Sequence, residues 1–319
     1  MKKAWKDAIT AMALAWGIPW LIFGVMHAVR EETPKSTTLP AQTTQTQAEI
    51  RETVNVLTDD GVEEMELTDY LSGVVLCEMP GQFHMEAKKA QAVVARTYAL
   101  RTVLYKDKHE NAAICTDPAC CQGYRDPAQY LAAGGNAAYV EEAKLACLLT
   151  EGYVLTYQGE LIDATYFSCS GGQTEDAVAV WGADIPYLQS VESPGEEQAD
   201  HYWDEVTFTA EQFQQALGIK LTGSPGKWFG AVTYTEGGGV ATMVIGGKPY
   251  TGTALRQLLG LRSTAFSVAV SGESLVITTR GYGHRVGMSQ YGALSMALSG
   301  SGYKQILQHY YRGTELTQQ

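Results

Sequence analysis

The chain has 319 residues, 45% of them hydrophobic, enough apolar material for one large domain or two smaller ones, and this composition excludes wholesale disorder. Its formal net charge is −12, from 35 acidic and 23 basic residues. The acids are spread along the chain and no Lys/Arg cluster is available to neutralise phosphates, so nucleic acid is not an expected partner.

The N-terminus sets the compartment. Residues 1–7 carry three lysines, Lys2, Lys3 and Lys6, and lead into an uncharged apolar run over 8–29. Crossing a bilayer takes about 20 such residues. The positive-inside rule places the N-terminus in the cytoplasm and the rest of the chain outside, as a single-pass protein of the cell membrane. A cleaved signal peptide is the competing reading, but the run is long for a signal core and lacks a clear small-x-small site before its polar flank. Residues 30–49, rich in Thr, Gln and Pro, have almost nothing to bury and read as a flexible stalk.

From about residue 50 to 319 the pattern is globular. Apolar residues at 67, 70, 71, 74 and 75 have helical spacing, and Met79-Pro80-Gly81 ends that helix. Continuing the stripe lands on Glu78, which points a carboxylate toward the packed side, where burial favours the neutral acid. A structural role for Glu78, as a cap or in an ion pair with Arg96, is the alternative. A second helix, about Met85 to Tyr105, has an alanine-rich surface suited to close packing; Gln91, Arg96, Thr97 and Tyr98 within it need partners if buried. Residues 150–166 read as a hairpin that feeds into Phe167-Ser168-Cys169-Ser170-Gly171-Gly172, a small-residue loop suited to a ligand or to a plain surface turn. Short β-like runs over about 204–266, with a capping box at Thr209–Gln212 opening a helix through Leu217, read as a smaller β-rich lobe. A further short helix is expected at Ala254–Leu259. A strand pair, Val268–Val270 and Leu275–Thr279, then leads through Gly281-Tyr282-Gly283-His284 into two helices, about Ser289–Leu298 and Tyr303–Tyr311. The fold class is α+β: mixed helices and antiparallel strands with an inserted β-rich lobe, preceded by one transmembrane helix.

The six cysteines stand at 77, 115, 120, 121, 147 and 169. His109, Cys115, Cys120 and Cys121 form a His-plus-three-thiolate set of the kind that holds a structural Zn²⁺, while a disulfide among them is the alternative in an oxidising exterior. Four protein ligands leave no open position for water, so such a metal organises the fold and the chemistry needs no cofactor.

Four blocks carry a resemblance: Tyr70-Leu71-x-Gly73-Val74-Val75-x-x-Glu78-Met79-Pro80; Glu86 to Ala99, reading EAKKAQAVVARTYA; Ser168-x-Ser170-Gly171-Gly172-x-Thr174-Glu175; and Gly281-x-Gly283-His284-x-x-Gly287-Met288-Ser289-Gln290-Tyr291-Gly292-Ala293. In this order the chain resembles the stage II sporulation protein D family from about Tyr70 to Gly313. The resemblance implies a lytic transglycosylase acting on peptide-stripped peptidoglycan glycan strands during engulfment, with Glu78 as catalytic acid/base. It also implies a sporulation cell-wall amidase as partner in a membrane complex, and a zinc cluster of the clostridial type on His109, Cys115, Cys120 and Cys121. Arg96 and Tyr98 are candidates for holding the carboxylate and substrate. Ser168, Ser170, Gly171 and Thr174 are candidates for lining the glycan cleft, and His284, Gln290 and Tyr291 complete the set; a structural hydrogen bond is the alternative role for His284. A non-catalytic glycan-binding module that activates the amidase is the opposing reading.

Overall fold

The computed structural model describes residues 53–105 and 108–319. The expected anchor over 8–29, the segment before it and the stalk lie outside the described residues. Among those described, no helix is long and apolar enough to cross a membrane. Helices alternate with short, mostly antiparallel strand pairs, an α+β arrangement.

A hairpin, Thr53–Thr58 with Gly61–Glu66, runs directly into helix Leu67–Glu78. Tyr70, Leu71, Val74 and Val75 of that helix pack with Val54 and Val56 of the hairpin and with Ala92, Ala95 and Ala99 of the long helix Met85–Tyr105. The first helix stops at Met79 because Pro80 follows: a residue before proline is driven out of the α region, and Met79 has φ −108° and ψ 123°. Glu78 is therefore its last helical residue.

The long helix separates two cores. Ala90, Val93 and Val94 face one of them, with Met79, Phe83, Leu155, Ile162, Met288 and Tyr310, while Ala92, Ala95 and Ala99 face the other. Its small side chains allow close approach on both sides. Three of its four flagged polar residues have partners among the described residues. Arg96 donates to the carbonyls of Cys147 (3.0 Å), Thr150 (2.5 Å) and Tyr153 (3.3 Å). Thr97 donates to the Val93 carbonyl (2.8 Å) and accepts from the Leu155 N–H (3.0 Å). Tyr98 accepts from the Lys108 ammonium (2.6 Å). Gln91 is fully buried and its amide has no partner among the described residues.

Residues 126–149, to which the sequence reading assigns no element, form helices Pro127–Ala132 and Ala137–Leu148, capped by the side chains of Asp126 and Asn136. The hairpin expected over 150–166 is shorter. Tyr153–Tyr157 pairs with Glu160–Leu161 on one edge and with the C-terminal strand Glu315–Gln318 on the other. The chain then leaves the sheet to bury Ile162 and Ala164, and Tyr166–Phe167 pairs in parallel with Met288–Ser289.

The β-rich segment has its own core of Phe213, Trp228, Met243, Leu255, Leu275 and Ile277. The last two belong to the strand pair Phe266–Ser271 and Ser274–Arg280, whose second strand also pairs with Trp203–Thr209. The packed unit thus extends past residue 266, because the alternate residues Leu275 and Ile277 face inward. The Thr209–Gln212 capping box is present, and the second helix of the segment runs Gly252–Leu258.

One buried ion pair ties this segment to the loops beside it. The Arg285 guanidinium donates to Glu175 (3.0 Å) and to the carbonyls of Ser170 (2.6 Å), Gln173 (2.8 Å) and Gly237 (2.6 Å). Both side chains are essentially inaccessible, at 0% and 1% exposure. Removing one partner of such a pair strands the other charge. Arg285→Met is expected to destabilise the fold by about 3–5 kcal/mol in urea unfolding, whereas breaking the exposed Lys144–Asp69 pair should change it by no more than about 1 kcal/mol.

Candidate active site

A cleft of about 390 Å³ is lined by Glu78, Tyr98, Pro118, Cys121, Thr165, Tyr166, Phe167, Ser168, Arg256, Tyr282, Gly283, His284 and Gln290. The volume falls within the roughly 300–1,000 Å³ of small-ligand sites. Six parts of the chain meet there: the end of the first helix, the long helix, the loop of the His/Cys group, the Tyr166–Phe167 strand, the Gly-rich turn with the helix after it, and the β-rich segment.

Glu78 is the one carboxylate among the lining residues. Its Oε1 accepts from the Gly123 N–H (2.8 Å) and its Oε2 from the Gln290 amide (3.2 Å). Burial pushes the Glu78 carboxyl above the ordinary glutamate range, and the hydrogen bonds from Gly123, Gln290 and the nearby Tyr166 hydroxyl draw it only part of the way back. Every one of these partners is neutral. No salt bridge holds Glu78 among the described residues, so the alternative of an ion pair with Arg96 is not formed; the Arg96 guanidinium sits on the carbonyls at the end of helix Ala137–Leu148, where a cation satisfies groups the helix leaves unpaired.

Gly123 is a site residue that the sequence reading misses. A Cβ at this position would stand 2.8 Å from Glu78 Oε1 and 3.1 Å from the Cys77 sulfur, so a side chain here would push the carboxylate away from its place on the Gly123 N–H. The preceding Gln122 is buried between two tyrosines, accepting from the Tyr70 hydroxyl (3.2 Å) and donating to the Tyr166 hydroxyl (3.4 Å). Tyr166, Phe167, Tyr282 and Arg256 are likewise missed. Tyr166 ends a stretch that reads as an ordinary hairpin, Phe167 opens a loop in which the small residues stand out instead, and Arg256 lies 178 positions along the chain from Glu78, beyond the reach of any local pattern.

His284 lies between aromatic rings, 5.6 Å from Phe167 and 5.3 Å from Trp181, centroid to centroid. Its Nδ1 accepts from the Val286 N–H (3.1 Å). Burial, with Arg256 nearby, pulls the imidazole down to about 4, so it is neutral at neutral pH.

The remaining candidates divide. Tyr98, Ser168, His284 and Gln290 reach the cleft with Glu78. Ser170, Gly171, Thr174 and Tyr291 do not line it. The Ser170 N–H and hydroxyl and the Gly171 N–H all donate to the buried Glu196 carboxylate (2.7, 2.9 and 3.0 Å), so this loop wraps a carboxylate of its own chain. Thr174 hydrogen-bonds to Val191, and Tyr291 packs edge-on against Phe83 at 5.0 Å.

His109, Cys115, Cys120 and Cys121 come together, with one potential ligand atom from each within 4.8 Å of every other. His109 Nε2 stands 3.4 Å from the Cys121 sulfur and 3.8 Å from that of Cys120, and the two sulfurs are 3.8 Å apart. All six cysteines are free thiols. These separations match the edges of a tetrahedron whose centre lies about 2.0–2.3 Å from N and S donors, so the group could hold a metal ion.

Known proteins resemble the chain at several levels. The stage II sporulation protein family model matches residues 58–157, a stretch that holds Glu78, the long helix and the His/Cys group. Stage II sporulation protein D of Bacillus subtilis is 41% identical over 265 residues, covering 82% of this chain and 77% of that protein. Its counterpart from Bacillus amyloliquefaciens is 37% identical over 297 residues, covering 92% and 84%. The amidase enhancer of Bacillus subtilis is 28% identical over 305 residues, covering 77% of this chain and 40% of the enhancer.

Carboxyl-detected NMR of the ¹³C-labelled protein is expected to show Glu78 titrating above the ordinary glutamate range. Gln290→Ala removes a donor that favours the charged form and should move that titration higher still; a downward move would show that Gln290 does not hold the carboxylate.

Proposed function

This chain belongs to the stage II sporulation protein D family, a family of sporulation proteins, and on that premise we propose that it is a lytic transglycosylase of peptidoglycan, cutting the bond between N-acetylmuramic acid and N-acetylglucosamine in peptide-stripped strands during engulfment. The observation that carries the reading is the lone carboxylate of the cleft. Hydrolysis of a glycoside ordinarily uses two carboxylates, one to protonate the leaving oxygen and one to activate water or attack the sugar. Intramolecular closure needs one group that first gives and then takes a proton, and a carboxyl raised by burial is suited to both.

In the proposed reaction, neutral Glu78 donates its proton to the glycosidic oxygen. The bond from muramic C1 to that oxygen breaks, its electron pair leaves with the oxygen, and N-acetylglucosamine departs carrying a 4-hydroxyl. The muramic C6 hydroxyl closes on C1, and the Glu78 carboxylate takes its proton. The product is a 1,6-anhydro end, water is not consumed, and the acid is regenerated. Gln290, the Gly123 N–H and Tyr166 stabilise the carboxylate between the two transfers. Activity therefore declines as pH rises through the Glu78 pKa, because only the protonated form starts the reaction.

The reading includes a structural Zn²⁺ on His109, Cys115, Cys120 and Cys121, supported by the ligand geometry. Such an ion would fix the loop whose next residues, Gln122 and Gly123, touch Tyr166 and Glu78. It also includes an N-terminal anchor over residues 8–29 with the globular part outside the cell membrane, and a sporulation cell-wall amidase as partner within a membrane complex. The amidase enhancer relative favours a second reading, in which the chain binds glycan and activates an amidase without cutting.

Glu78→Gln is expected to lower the release of 1,6-anhydromuramic ends from peptide-free strands by about 10²–10⁴-fold or more with the unfolding transition retained, as read by mass spectrometry and circular dichroism. Unchanged release would remove Glu78 from the chemistry. Loss of wild-type release together with stimulation of amidase activity would favour the second reading. Elemental analysis of the purified full chain should give one zinc per chain, lost in Cys115→Ser and Cys121→Ser; a metal-free wild type with a disulfide among these residues would contradict the zinc assignment.

A further inference from the structure

Arg256 is the cleft's one permanently charged cation, and it has no anionic partner among the described residues. Neighbouring arginines are committed: Arg262 is paired with Asp204 at 3.2 Å and lies over the Tyr282 ring, and Arg285 is locked to Glu175. Arg256 instead uses Nε alone, on the Leu261 carbonyl at 3.3 Å, so its two terminal nitrogens have no acceptor among the described residues. Its backbone is fixed, because Leu255, Leu259 and Leu261 on either side of it are buried in the core of the β-rich segment. The guanidinium is partly buried and close enough to His284 to disfavour the imidazolium. Its terminal nitrogens are not among the buried unpartnered atoms, so they remain open to solvent and to an acceptor brought by a ligand in the cleft.

A planar fork with free terminal nitrogens matches a carboxylate, which it can hold through two parallel hydrogen bonds. Glu78 is directed at Gly123 and Gln290 and makes no ion pair with Arg256, so it does not occupy the fork. The backbone of a peptidoglycan strand offers one carboxylate chemistry: the lactyl group on muramic acid. It is a free anion when no stem peptide is attached and a neutral amide when one is. We infer that Arg256 forms the subsite for the free lactyl carboxylate of peptide-stripped muramic acid, so that one side chain distinguishes stripped from peptide-bearing strands by charge. The inference rests on the glycan reading above and adds the recognition of substrate state to it.

The test measures binding apart from cleavage. Full-chain Glu78→Gln, with and without Arg256→Gln or Arg256→Lys, is titrated calorimetrically with GlcNAc–MurNAc tetrasaccharides carrying either free lactyl acids or lactyl amides. The single variant should bind the acid at least about tenfold more tightly than the amide, or about 1.4 kcal/mol. Arg256→Gln should abolish that preference while leaving amide affinity unchanged, and Arg256→Lys, which keeps the charge without the fork, should restore part of it. Equal affinity for acid and amide, a preference that survives Arg256→Gln, or no measurable binding of either sugar would overturn the inference. Failure of the wild-type chain to release anhydro ends would count against the transglycosylase reading alone, since the binding preference is measured without turnover.

Discussion

The arrangement turns on burying one carboxylate at a helix end with neutral donors only. A cation beside Glu78 would hold it ionised; Gly123, Gln290 and Tyr166 support the charged form without fixing it. Each donor comes from a different part of the chain, so the site exists only when the loop after the His/Cys group, the Tyr166–Phe167 strand and the helix starting at Gln290 are all in place. Pro80 contributes by stopping the first helix at the residue that carries the carboxylate.

Around this acid the fold spends its charged groups on structure. Arg96 closes a helix end, Arg285 and Glu175 knot three loops, and Glu196 gathers the Ser170–Gly171 turn. Their polar atoms are directed at the chain itself, so they hold the cleft walls and leave the cleft with few charged groups. His284, neutral and held between Phe167 and Trp181, belongs with these supports as much as with the site.

Much of the scaffold is legible locally. The 3.6-residue periodicity of the first two helices, the Glu-Met-Pro stop and the Thr209 capping box depend on near neighbours, and the structure has each within a residue or so. The cluster of His109 with three cysteines is legible for the same reason. The failures are contacts between distant segments. Nothing near Gly123 in sequence reveals that a Cβ there would crowd Glu78, and Arg256 looks like an ordinary polar position on a short helix. The Ser168–Thr174 loop misleads in the opposite direction. Its hydroxyls and glycines have the composition of a ligand loop, but apart from Ser168 they bind Glu196 and Val191. Composition shows that a carboxylate can be cradled there; the fold decides that it is the protein's own.

In the proposed reaction a single carboxylate both gives and takes the proton, and no water enters the product. Mass spectrometry of peptide-free strands cut in H₂¹⁸O tests this most directly. The expected products are 1,6-anhydro ends without ¹⁸O. New reducing ends carrying ¹⁸O would contradict it, since they require water to attack muramic C1 and a second catalytic group to activate it.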